Sequence, residues 1–190
     1  MTIDEILDSA SKVSVSSRFR KWLSFILSHD CILDEAGNII PHGMEDGRVQ
    51  FAGIPFSAEQ AIEEVSQIPS DRVVGIYSEN YWWPAHAETL PSNSVGECVA
   101  TFAVDCGLEA SSYILQDCVS NFGVKTSMDG KIGPKLIRDI WHIPNYSDLS
   151  YAIVSKAKSR YKKLARCNPE DLIALNKKLE RAEDLLRVFH

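Results

Sequence analysis

The chain has 190 residues, 45% of them hydrophobic and 24% charged, and a formal net charge of −6 at pH 7. This composition is typical of a globular chain that buries its core without a disulfide or a metal, and we expect a single domain over 1–190. The net negative charge argues against a nucleic-acid-binding protein. No run of 18 apolar residues is present, so we expect no integral membrane segment.

The five cysteines form neither a CxxC pair nor a Cys/His cluster with zinc-finger spacing, and we predict no metal site. Their odd number favours reduced, mostly buried thiols. The first residues, MTIDEILDSASK, lack a basic segment followed by an apolar run. We therefore predict synthesis in the cytoplasm without a signal peptide.

The N-terminal third predicts two helices and a small sheet. Thr2 and Glu5 form a capping box for a helix over 3–10, and the apolar stripe of SRFRKWLSFILSH predicts a second helix over 17–29. Glycine, proline and Asp-Gly turn signals follow, and they predict an irregular sheet of two or three strands. The β-rich pieces between these signals lie at 31–33, 38–40 and 48–52.

The remainder of the chain is helical in pattern. Ser57 with Gln60, and Ser94 with Glu97, are predicted helix caps, and Gly107 fits the position just after a helix end. Further helices are predicted over 70–77, over 108–119, from Pro134, over 150–166 and after Asn168. The fold class is therefore mainly α (α+β), with a small N-terminal sheet, a helical lobe and two C-terminal helices.

The two C-terminal helices carry one apolar and one cationic pattern. The apolar stripe of the last helix either docks on the chain's own core or forms a homodimer. Its members are Leu172, Leu175, Leu179, Ala182 and Leu186. Residues 155–166 carry six cations and no acid, which is typical of a solvated helix face or of a surface that attracts an anionic polymer.

Three side chains are candidates for chemistry. Asp30, at a helix end, and Glu45, in a turn, form a carboxylate pair of the kind that hydrolyses glycosides, in which one acid protonates the leaving oxygen. Solvated turn acids are the alternative. Cys98, near a helix start, is either a packed core residue or a nucleophile with a lowered pKa, as in cysteine amidases that cut peptide crosslinks.

Three consecutive aromatic residues, Tyr81, Trp82 and Trp83, cannot all face one core from a helix or a strand. Tyrosine and tryptophan rings stack on sugar rings and hydrogen-bond through their polar edges. We therefore expect one of these rings to anchor the helical lobe and at least one other to line a sugar-binding groove.

Several motifs taken together resemble glycoside hydrolase family 108, the phage and bacterial N-acetylmuramidases with a C-terminal peptidoglycan-binding-like region. The motifs are YSENYWWP, VATFAVDCG, ILQ, MDGKIGP and SRYKKLARCNPE. The resemblance covers most of 18–186. It implies a lysozyme-like fold made of a catalytic helix and hairpin (18–56), a helical lobe with the peptidoglycan-binding-like segment (57–149) and a C-terminal helical pair (150–190).

The resemblance also implies site residues. The family's first catalytic acid is a glutamate in an E-G-G-Y motif, where this chain has Asp30 in LSHDCIL. The acid of a D-x-G-G-x-T hairpin maps to Glu45, and its threonine maps to Gln50. The implied catalytic residues are thus Asp30, Glu45 and Gln50. The candidate substrate-binding residues are Tyr81, Trp82, Trp83, Asp105 and Gln116.

From these observations we predict a peptidoglycan-degrading N-acetylmuramidase, similar to a lysozyme or endolysin, that needs no metal or organic cofactor. Its partner would be the glycan strand, reached after release or export by a route other than a signal peptide. One alternative is a catalytically impaired lysozyme-like fold that binds glycan or a protein partner. The other is a cysteine amidase that uses Cys98.

Overall fold

A computed structural model describes residues 1–13, 15–43, 48–56, 62–91, 94–167 and 172–189. The chain divides into two compact units, Met1–Glu79 and Asn80–His190. The boundary between them falls within a π-helical turn, Ser78–Trp82, in the YSENYWWP stretch. In its described part the chain is mainly helical with one small antiparallel sheet, which confirms the predicted α+β class.

The first unit begins with the two predicted helices. Helix α1, Ile3–Lys12, starts with the capping box, because the Thr2 side chain accepts the Glu5 amide and the Glu5 side chain accepts the Thr2 amide. Helix α2, Ser17–Asp30, buries six side chains along its length, among them Phe19 and Trp22. Both helices form where amphipathic spacing and caps agree, and both predictions are confirmed.

The sheet has three short strands, β1 (His42–Gly43), β2 (Val49–Phe51) and β3 (Ile54–Phe56), in the order β1-β2-β3. Two of the three β-rich pieces expected earlier form no strand, and Leu33 and Ile39 make only an isolated bridge. The sequence analysis does not predict strand β3, whose central residue Pro55 lacks an amide donor. It is tolerated because this strand lies at the sheet edge.

Two helices complete the first unit. Helix α3 is Ile62–Ser66 and packs near β2, and helix α4 is Ser70–Tyr77 and packs against α1. The predicted caps Ser57 and Gln60 lie outside the described residues. Helix α4 buries Val73, Val74 and Tyr77, and the last of these reaches the sheet.

In the described part of the second unit, all regular secondary structure is helical. Its helices are α5 (Val95–Cys106), α6 (Leu108–Ser120), α7 (Pro134–Ile140), α8 (Tyr146–Cys167) and α9 (Leu172–Phe189). Gly107, at φ +85°, separates α5 from α6, and Pro134 is the first residue of α7, as predicted. None of the helices in the described segments has both the length and the apolarity needed to cross a membrane.

Helix α5 is the central helix of this unit. Nine consecutive residues from Val95 to Ala103 are buried, and α6, α8 and α9 pack around it. A helix covered on all sides is the expected form of such an apolar sequence. The predicted capping box is wrong, because Ser94 has φ +69° and its side chain makes no capping hydrogen bond.

A buried ionic cluster joins three of these helices. Asp105 of α5 forms an ion pair with Arg181 of α9, and the Tyr161 hydroxyl of α8 donates to the same carboxylate at 2.5 Å. The side chains of Asp105 and Arg181 are 2% and 5% exposed. Burial, followed by the negative charge of Asp105, raises the pKa of Tyr161, so the phenol stays protonated and acts as the donor.

The apolar stripe of α9 packs within the unit. Ala182 and Leu185 are buried, and Leu175, Leu179 and Leu186 are half-buried as α9 lies against α8 and α5. The side chain of Leu172 and the predicted cap Asn168 lie outside the described residues. The stripe thus serves the chain's own core, and a homodimer through this helix stays a prediction.

Replacing Asp105 with alanine leaves the Arg181 guanidinium buried without its counter-charge. We expect the free energy of unfolding to fall by about 3–5 kcal/mol, measured by urea denaturation with tryptophan fluorescence. Asp139→Asn removes an exposed i,i+4 ion pair with Lys135 and should have little effect. Equal losses for the two variants would contradict the assigned role of the cluster.

Candidate functional site

Asp30 is the last residue of α2, held on a rigid and largely buried helix. The helix end is closed by the Cys31 amide, which donates to the Leu27 carbonyl at 3.0 Å. The Asp30 side chain is half-buried. Burial, with a further contribution from the charge of Asp30, raises the pKa of the Cys31 thiol to about 12, so this cysteine is a neutral neighbour.

The turn between β2 and β3 has a strained backbone next to Asp30. Ala52 and Gly53 form a two-residue loop with φ +50° and +76°, between the paired residues Phe51 and Ile54. Two successive positive φ values are typical of a type I′ hairpin turn. The buried Tyr77 hydroxyl of α4 donates to the Ala52 carbonyl at 2.9 Å and fixes the turn to the helix.

Three elements of the first unit converge on Gly53. A β-carbon placed on this residue would lie 2.4 Å from the Tyr77 hydroxyl oxygen and 3.0 Å and 3.5 Å from Cβ and Oδ2 of Asp30. A side chain therefore cannot be accommodated here without displacing one of these groups. The bare backbone of Gly53 lets α2, the hairpin and α4 approach closely, with the Asp30 side chain beside the turn.

Gln50 is the middle residue of β2, the strand that leads into this turn. Its neighbours Val49 and Phe51 are buried, so the half-buried Gln50 side chain lies on the other face of the sheet. His42 of β1 is its direct cross-strand partner and shares that face. Nδ1 of His42 is buried and has no hydrogen-bond partner within the described segments, an unsatisfied polar atom beside Gln50.

Glu45, the second predicted catalytic acid, belongs to 44–47 and lies outside the described residues. The structure therefore brings Asp30 to the β2–β3 turn and places Gln50 in the same hairpin, and the acid pair itself stays a prediction.

The aromatic cluster belongs to the second unit from Asn80 onwards, and its rings have different environments. Trp82 is fully buried, with Nε1 donating to Glu88 at 3.0 Å, so no face of its ring is open to a sugar. We therefore withdraw Trp82 as a substrate-binding residue. Tyr81 is half-buried and burial raises its pKa, whereas Trp83 is 47% exposed. Trp82 is the core anchor, and Trp83 has the most exposed ring of the three.

Asp105 and Gln116 are buried residues whose side chains bind other parts of the same unit. Asp105 is the centre of the buried ionic cluster, and Gln116 is 1% exposed. The Gln116 amide donates to Asp129 and to the Lys131 carbonyl and accepts the Gly130 amide, so it holds the MDGKIGP loop. Neither side chain is available to a ligand, because internal partners occupy both, and we withdraw both as substrate-binding residues.

Cys98 is not placed for nucleophilic attack. Its side chain is fully buried in α5, and burial raises the pKa of its thiol well above the ordinary value. A catalytic cysteine needs the opposite shift and access to substrate. The environment of Cys98 therefore does not support the cysteine amidase alternative.

Sequence reasoning missed Tyr77, Gly53 and His42 as parts of this region. In the sequence, Gly53 is only one of the glycine turn signals that follow the second helix, and Tyr77 is only the last residue of the helix predicted over 70–77. The contact between them joins residues far apart in the chain, and no local pattern encodes it. A glycine next to a β-rich segment is the one sequence signal that points to close backbone approach here.

Comparisons with known proteins bear on the fold alone. No protein-family model matches the chain, and no curated protein matches it. Among solved structures, the chain is similar to Brucella abortus SagA, with a TM-score of 0.65 and 17% sequence identity. The match covers 89% of this chain and 95% of that one, so the two share a fold over nearly their whole length.

The role of Gly53 predicts a difference between two glycine substitutions. Gly37 also has positive φ, +81°, but no atom lies within 4 Å of a β-carbon placed there. Gly37→Ala should cost only the backbone strain, about 1–2 kcal/mol, whereas Gly53→Ala adds the steric displacement of Tyr77 and Asp30 and should cost clearly more. Thermal unfolding of both variants measures the difference, and equal losses would mean that the close approach at Gly53 is unimportant.

Proposed function

We propose that the chain is a peptidoglycan-degrading N-acetylmuramidase with Asp30 as its general acid. The observation that carries the proposal is the convergence at Gly53, where the end of α2 places Asp30 beside the β2–β3 turn and Tyr77 hydrogen-bonds that turn. Catalytic acids require this kind of rigid support, since a displacement of about 1 Å can lower a rate by about 100-fold.

The proposed reaction is hydrolysis of the bond between N-acetylmuramic acid and N-acetylglucosamine. Asp30 protonates the glycosidic oxygen as the bond to the anomeric carbon breaks, and positive charge develops on the sugar ring. Glu45, from the hairpin, stabilises that charge or orients the attacking water, and the Gln50 amide hydrogen-bonds the same water. The water adds to the anomeric carbon and its proton passes to a carboxylate.

Two features support this assignment over a purely structural role for Asp30. The residue lies where the family that the sequence resembles has its catalytic glutamate, and the hairpin that follows carries the second predicted acid. That hairpin also carries His42 and Gln50 as a cross-strand polar pair. Trp83 remains the candidate ring for sugar stacking, because nearly half of its surface is exposed.

The proposed partner is the glycan strand of the cell wall, which the protein reaches after release or through a separate export route. The proposal involves no metal, no organic cofactor and no nucleic acid.

The Asp30→Asn variant keeps the shape of the side chain but cannot donate a proton from a carboxyl group. We expect its rate of reducing-end release from purified peptidoglycan to fall by about 100-fold or more. Asp8→Asn, which changes an exposed acid of α1, is the matched control and should retain full activity. Release of reducing ends by the unmodified protein, tested across a broad pH range, is the prerequisite.

The impaired, glycan-binding alternative makes the opposite prediction. It is motivated by the shorter acid at position 30. The family that the sequence resembles has a glutamate there, and the glutamate side chain is one methylene longer than that of Asp30. If the unmodified protein releases no reducing ends but sediments with peptidoglycan, and Asp30→Asn sediments equally, the hydrolase assignment is wrong and the binding function stands.

A further inference from the structure

A groove between α6 and α8 has two chemically different walls. Its cavity measures about 570 Å³, and the α6 side and the adjoining loop contribute Tyr113, Ile114 and Met128. Tyr113 and Met128 are 36% and 52% exposed. The other wall is the cationic face of α8.

Three cations of α8 line this groove. Lys156, Arg160 and Lys163 lie within an arc of about 60° on the helix surface, because successive residues advance by about 100°. Lys156 is paired with Asp117 of α6 across the groove, Nζ to Oδ2 at 2.5 Å. Arg160 and Lys163 are exposed and form no ion pair with any residue of the described segments.

Tyr113 is held in place on the apolar wall. The Asp129-Gly130 turn packs on it so closely that a β-carbon on Gly130, at φ +70°, would lie 3.0 Å from the ring. Gln116 holds this turn by accepting the Gly130 amide at 3.0 Å. The exposed part of the Tyr113 ring is therefore a preorganised surface, which reduces the entropy lost when a ligand packs on it.

The groove continues into a second cavity of about 500 Å³ that shares Tyr113 and Arg160. Glu109 lines this continuation and introduces a negative charge. A uniformly charged polymer such as a nucleic acid would place a phosphate beside Glu109 as it followed the groove. A chain whose charge varies from unit to unit, such as a peptide, avoids that repulsion.

We propose that this groove is a docking site for an extended acidic peptide segment of a partner protein. Carboxylates of the segment pair with Arg160 and Lys163, and an apolar side chain between them packs on Tyr113 and Met128. Alternate side chains of an extended chain lie about 7 Å apart on one face, a spacing that suits cations one helical turn apart on α8. The inference does not depend on the proposed hydrolase activity.

The test uses fluorescein-labelled acetyl-Glu-Glu-Trp-Glu-Glu-amide and its glutamine analogue, with binding to the full chain followed by fluorescence anisotropy. We expect the acidic peptide to bind at least about tenfold more tightly than the glutamine analogue. Its affinity should fall as the salt concentration is raised. The variant Arg160→Glu with Lys163→Glu should lose the acidic peptide and bind the corresponding Lys-Lys-Trp-Lys-Lys peptide instead.

The matched control is Lys162→Glu with Arg166→Glu, which reverses two exposed cations of the same helix that do not line the groove. It changes the net charge equally and should leave the affinity for the acidic peptide within about twofold. If both double variants weaken binding of the acidic peptide equally, net charge alone explains the effect and the proposal is overturned. It is likewise overturned if the acidic peptide does not bind, or if a single-stranded oligonucleotide binds more tightly with the same dependence on Arg160 and Lys163.

Discussion

The absence of a side chain at Gly53 is the constraint on which the candidate site depends. Any β-carbon there would collide with the Tyr77 hydroxyl and crowd Asp30, so the approach of α2, the hairpin and α4 requires glycine. The same turn contains Ala52 at positive φ, and the Tyr77 hydrogen bond to its carbonyl helps to offset that strain. Backbone geometry thus determines where the Asp30 carboxylate lies, and the proposed chemistry follows from that position.

The second unit illustrates how polar residues that suggest function can instead serve packing. Asp105, Arg181 and Tyr161 join α5, α8 and α9 through one buried carboxylate. Gln116 uses both ends of its amide to hold a loop. Most buried polar groups are hydrogen-bonded, because leaving them unpaired is costly, so their partners occupy the atoms that a ligand would need. The ligand-accessible groups of this unit are accordingly on its surface, at Trp83 and along the groove between α6 and α8.

The proposed active site and the proposed peptide groove differ in how each would bind its ligand. At Asp30, one half-buried carboxylate lies where three elements pack closely together, an arrangement suited to acting on a single atom of a substrate. In the groove, exposed cations and a fixed aromatic ring offer several weaker contacts, an arrangement suited to recognition. A wall-active enzyme with a separate protein-docking surface is consistent with both.

Local signals determined much of the fold from the sequence alone. The Thr2–Glu5 capping box, the stripe of α2, the glycine at 107 and the proline at 134 each specify a helix or its end, because caps and 3.6-residue periodicity act between neighbours in the chain. Only the tertiary structure decided that Trp82 is buried and Trp83 exposed, that Cys98, Asp105 and Gln116 are enclosed, and that Tyr77 reaches Ala52. Those outcomes depend on which surfaces distant segments cover, and a sequence pattern gives the identity of a side chain without giving its neighbours.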